Sequence, residues 1–99
     1  MQATHLNHET EAFICTRHAV VRGQQRGIRK SDRQFVFHFG DREERAGGGV
    51  FRLSISTRHM KFLLEHKLIS PSQAERCSRL TLVTDGSTIL TNYRAARAH

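Results

Sequence analysis

Two cysteines, nine acidic residues and no long apolar run are the scarce features of this 99-residue chain. Each scarcity excludes something. No run approaches the roughly 20 apolar residues needed to cross a bilayer, so no transmembrane segment is expected. The polar stretch 1–11 lacks the apolar centre of a signal peptide, and the expected address is the cytoplasm. Cys15 and Cys77 lie far apart in sequence. In a reducing compartment two such thiols are expected as small buried hydrophobes, with nothing that calls for a disulfide. There are no repeats and no low-complexity segments. Gly47-Gly48-Gly49 is not followed by Gly-Lys-Ser or Gly-Lys-Thr, which excludes a P-loop. Glu43 and Glu44 are adjacent, so a carboxylate pair suited to hydrolysis is absent. No Ser-His-Asp arrangement can be argued from residue order.

What is abundant is arginine. Sixteen Lys and Arg face nine Asp and Glu, for a net charge of +7, and thirteen of the sixteen are Arg. A guanidinium grips phosphate through a planar fork of N–H groups and stays charged at any physiological pH. The charge is also clustered. Residues 16–33 hold six Lys or Arg and one acid. That density reads as a footprint for nucleic-acid phosphate, or for an acidic protein that imitates one. The competing reading is a solubilising surface. No cofactor is expected.

The chain length allows one domain. Residues 1–12 are expected as a flexible tail and 13–95 as the domain. Thr16 is a candidate N-cap for a first helix ending near Gly27. On it His18, Arg22 and Arg26 share one face, while Ala19, Gly23 and Gly27 form a ridge of small residues suited to close packing. Ser31 followed by Gln34 fits a capping box for a second helix over 32–39 that stops at Gly40. Residues 35–39 also alternate like a strand, and the cap signals favour the helix. A charged stretch over 41–46 and a glycine turn lead to a strand over 50–56, in which Phe51, Leu53 and Ile55 face inward. A helix over 57–68 carries the stripe Met60, Leu63, Leu64 and Leu68. Ser70 caps a further helix, with Pro71 in its first position and Gln73 completing a capping box. Strands over 80–84 and 88–93 form a hairpin across Asp85-Gly86-Ser87. The expected class is α+β: two N-terminal helices packed on an antiparallel sheet, with a helical hairpin at 57–79 inserted before the C-terminal β-hairpin.

The segment Arg17-His18-Ala19-Val20-Val21-Arg22-Gly23-Gln24-Gln25-Arg26-Gly27-Ile28 resembles the pattern His-Ala-x-x-Arg-x-x-x-Arg-Gly-Ile. That pattern opens a class of small bacterial domains of unknown function related to the RelE-like and BrnT-like toxins. Phe39-Gly40 and Thr91-Asn92-Tyr93-Arg94 resemble later parts of the same class, in order and spacing. The resemblance implies a RelE-like fold of two helices and a curved antiparallel sheet. Relatives with demonstrated activity are endoribonucleases, ribosome-dependent or free, neutralised by acidic antitoxins. The implied partners are therefore RNA or the ribosome, and an acidic antitoxin protein. The chain departs from the simplest form by its insertion at 57–79, part of which could cover the sheet face where RNA would lie.

Cleaving RNA without metal needs a base for the 2′-hydroxyl, an acid for the leaving oxygen and cations for the phosphorane. His18 has the side chain that titrates near neutrality. Arg22 and Arg26 are candidates to stabilise the phosphate, and Tyr93 to donate a hydrogen bond, which makes these four the candidate catalytic set. Arg17, Arg29, Lys30, Thr91 and Arg94 are the candidate nucleic-acid-binding residues. In the competing structural reading His18 caps or packs, the arginines pair with Glu43, Glu44 or Glu75, and Tyr93 is a sheet residue. His5-x-x-His8 and Cys15-x-x-His18 supply zinc-type ligands but match no standard finger, so no metal is expected.

Overall fold

Alternation along two strands decides which face of the sheet is buried. In the computed structural model, which describes residues 15–95, Leu53 on one strand and Leu80 and Leu82 on the next are between 0% and 6% exposed. Arg52, Ser54 and Val83, on the alternate positions, are half-buried. The elements run α1 (Arg17–Gln25), α2 (Lys30–Phe39), β1 (Arg42–Gly47), β2 (Val50–Ser54), α3 (Thr57–Glu65), α4 (Pro71–Cys77), β3 (Leu80–Thr84) and β4 (Ile89–Arg94). The four strands form one antiparallel sheet in the order β1-β2-β3-β4. Its class is α+β. No described helix is long and apolar enough to cross a membrane.

Register fixes two rows across the sheet. Leu53 pairs with Leu82, and Leu82 with Asn92. Arg52 pairs with Val83, and Val83 with Thr91. A one-residue slip would exchange these rows and put arginine where leucine is buried. The first row is the core side. There α1 lies along β4, and α2 against β2 and β3. Ala19, Val36 and Ile89 complete this part of the core, each 0% exposed.

α1 ends as its sequence suggests. Gly27 N–H donates to Gln24 O at 3.2 Å and Ile28 N–H to Gly23 O at 2.8 Å, with Gly27 at φ +68. This pair of bonds is a Schellman stop, which glycine adopts without a Cβ penalty. α2 forms as a helix, but Arg29 is its N-cap and makes no side-chain capping bond. Ser31 lies inside the first turn, not before it. Gly40 is extended, at φ −61. Glycine is required there by space: a Cβ would lie 2.6 Å from Leu53 Cγ and 2.7 Å from Val36 O.

The stretch 41–46, read from sequence only as charged chain, contains most of β1. Every residue of that strand is exposed. It carries no apolar face, and charge on an edge strand discourages pairing with other chains, so hydrophobic alternation could not reveal it.

The insertion extends the core. Met60, Leu63, Ile69, Ala74 and Cys77 join the main cluster. Leu64 and Leu68 are exposed, and Ile69 takes the buried position instead. Ser56 caps α3 by accepting from His59 N–H at 3.1 Å, and Asp41 accepts from both the N–H and the hydroxyl of Ser56 at 2.7 Å. Ser70 caps α4 by accepting from Gln73 N–H, and Pro71 holds the first position. The Gln73 side chain does not close a capping box. It donates to Asp32 Oδ1 at 3.2 Å. Arg76 Nε also donates to Asp32 Oδ2, at 2.8 Å, so α4 is tied to α2 through a carboxylate that is 1% exposed. Cys15 and Cys77 are not joined by a disulfide. Burial, with Asp32 beside it, pushes the Cys77 thiol up to about 12, which makes it inert as a nucleophile near neutrality.

Candidate nucleic-acid interface

α1 is held against β4 by a series of polar contacts. Thr16 Oγ1 accepts from Ala19 N–H at 3.1 Å, which starts the helix, and donates to Leu90 O at 3.1 Å. Thr16 N–H donates to Ile89 O at 3.0 Å. Asn92 Nδ2 donates to Ala19 O at 2.8 Å, and Arg26 Nη1 donates to Asn92 O at 2.8 Å. Arg94 reaches back from β4 to the end of α1, with Nη1 donating to Arg26 O at 2.9 Å. That carbonyl belongs to the helix end, where a cation also meets the negative pole of the helix dipole. The approach is close because Gly23 is buried. A Cβ there would collide with the Arg33 guanidinium and stand 2.9 Å from Asn92 Oδ1.

Fixing the inner face of α1 dictates what its outer face presents. Arg17, His18 and Arg22 are exposed, and so are Arg29 and Lys30 in the turn that follows. Arg22 donates to Gln25 Oε1 at 3.3 Å, a neutral partner that leaves its charge in place. Among the described residues no carboxylate pairs with Arg17, Arg22, Arg26, Arg29, Lys30 or Arg94. The pairing of these cations with Glu43, Glu44 or Glu75, which belongs to the competing structural reading, does not occur among the described residues. Uncompensated cations raise the local concentration of an anionic chain and release its counterions on contact.

Tyr93 and Thr91 do not join this row. Strand side chains alternate, and Asn92, between them, is the residue that meets α1. Tyr93 therefore stands on the other face of the sheet, where it lines a cleft of about 480 Å3 with Arg42, Arg52, Arg79 and Thr81. Glu44 lies in the same cleft, 3.3 Å from Arg42 and 3.6 Å from Arg52. Arg79 has no carboxylate partner among the described residues. The four residues read as one catalytic set thus fall into two places: His18, Arg22 and Arg26 along α1, and Tyr93 in the cleft. Sequence reasoning missed Arg42, Arg52 and Arg79. For Arg52 the signal was present in the polar side of the 50–56 alternation, but it needed the pairing of β1, β2, β3 and β4 to become a surface.

Chemically, the cleft offers guanidiniums for phosphate, a phenol whose ring can stack on a base, and one carboxylate as a proton acceptor. The α1 row offers charge and one imidazole. His5 and His8 lie outside the described residues. Within them no cluster of three His, Cys, Asp or Glu side chains is placed to hold a metal ion. Comparison with protein-family models, with curated proteins and with solved structures finds no match to this chain.

Proposed function

We propose that this chain is a small RNA-binding domain, with two N-terminal helices on an antiparallel sheet in the RelE-like manner. It grips the phosphate backbone through the cations of α1 and through the arginine cleft of the sheet. One observation carries the reading: the exposed Arg17, Arg22, Arg29 and Lys30 have no carboxylate partner among the described residues. A folded surface that leaves this many arginines unpaired suits an anionic polymer.

A second reading is that the domain cleaves RNA without a metal, as the toxins it resembles do, and is neutralised by an acidic antitoxin. It is favoured by the cleft, where Glu44 and Tyr93 lie among arginines. These are the group types for proton transfer and phosphorane stabilisation. Expression in growing cells separates the two. Binding alone predicts that Tyr93→Phe leaves any growth defect unchanged. Cleavage predicts that Tyr93→Phe relieves the defect while RNA affinity survives. If the wild-type chain fails to bind RNA at moderate salt, both readings fall.

A further inference from the structure

Leu64 and Leu68 stand out from the inserted helical pair, 37% and 52% exposed. On one side of Leu64 a groove of about 250 Å3 is lined by Ile55, Met60 and Lys61. On its other side a groove of about 470 Å3 passes Leu68, Ile69 and Pro71 and reaches Lys67. Leu64 lines both, so the two form an apolar trough in two halves on either side of that leucine, each half with a lysine. No carboxylate lines either groove.

We propose that this trough binds an amphipathic helix of another protein, with carboxylates flanking its apolar edge. Contiguous exposed apolar surface with a polar rim marks a docking site, and a groove of this kind takes helical anchors at i, i+3, i+4 and i+7. The charge selects the partner. A second copy of this +7 chain would set lysine rim against lysine rim. Nucleic acid would satisfy the lysines but leave the leucines wet. Lys67 adds a separate observation. It ends α3 at φ +57, where Lys67 N–H donates to Leu64 O and Leu68 N–H to Leu63 O. Glycine is the easier residue at such a stop, and lysine keeps an ammonium group at the rim. Leu64, Leu68, Lys61 and Lys67 lie outside both the α1 row and the sheet cleft, so this inference does not rest on RNA binding.

The test uses the full chain and labelled synthetic helical peptides of about 18 residues, or about 27 Å as helix. One carries leucines at helical spacing flanked by glutamates, one has lysines in place of the glutamates, and one is a scramble of the first. Fluorescence anisotropy should show the glutamate peptide binding at least about tenfold more tightly than the other two. Leu64→Asp with Leu68→Asp should abolish binding, and Lys61→Glu with Lys67→Glu should transfer preference to the lysine peptide. Circular dichroism should show all variants folded, because these side chains are exposed. RNA affinity of the leucine variant should match wild type, which separates failure here from failure of the RNA reading. The proposal is overturned if the glutamate peptide does not bind, or if it binds all variants equally, which would place it on the arginine surfaces. It is also overturned if sedimentation finds a wild-type dimer that Leu64→Asp splits, since the occupant would then be a second copy.

Discussion

At the seam between α2 and α4, Arg76 meets a buried carboxylate and holds it through Nε and Nη2. Along the outer face of α1, Arg17 and Arg22 meet no carboxylate among the described residues. The residue type is the same and the physical role is opposite. In the seam the charge is consumed: Asp32 could not be buried without Arg76 and Gln73 to satisfy it. On α1 the charge is left over, and long-range attraction for an anionic chain is what unneutralised charge supplies. Net charge alone does not distinguish these uses. The +7 of the sequence counts Arg76 and Arg22 alike, and only the partners tell them apart.

The largest effect should come from breaking the seam. Asp32→Ala removes three hydrogen bonds between α2 and α4 and should cost about 3 kcal/mol in urea unfolding. Arg22→Ala should stay within about 0.5 kcal/mol of wild type, as exposed substitutions do. Equal costs would erase the contrast. Gly23→Ala comes next. Its methyl would strike the Arg33 guanidinium and crowd Asn92, forcing α1 outward at a cost of about 2 kcal/mol. RNA affinity should fall with it if the row must be held against β4.

A smaller effect comes from acid. Hydrogen bonds from the backbone N–H groups of Ser87 and Thr88 hold the Asp85 carboxyl below its ordinary 3.8. Desolvation raises that of Asp41, but the backbone and hydroxyl bonds from Ser56 and the charge of His59 together lower it below 3.8. A carboxyl depressed in the folded state contributes stability above its unfolded value and loses it as pH falls through the folded one. Wild-type stability should therefore drop below about pH 4, and the loss should shrink in Asp85→Asn and Asp41→Asn. A wild-type urea midpoint that stays flat from about pH 6 to about pH 3 would contradict this.

Much of the fold was legible because its signals are local. Thr16 and Gly27 bracket α1, Ser70-Pro71 opens α4, and Asp85-Gly86-Ser87 turns the last hairpin, each through a bond within a few residues. β1 was hidden because a fully exposed charged strand has no periodic apolar face. The α2 cap was misplaced because Ser31 offered a capping side chain, whereas the helix starts at Arg29 without one. The candidate site was legible on α1, where helical spacing groups side chains along one segment. It was not legible on the sheet. Arg42, Arg52, Arg79 and Tyr93 become neighbours only through register, and alternation sends Tyr93 to the face opposite Asn92.

The most direct measurement is the affinity for a single-stranded RNA oligonucleotide as a function of salt, in wild type and in Arg17→Ala with Arg22→Ala. Wild type should show a steep log–log decline and the double variant a slope shallower by about 0.7 for each phosphate contact removed, at unchanged stability. A slope that is shallow in wild type, or identical in the two proteins, would mean that the outer face of α1 does not meet phosphate.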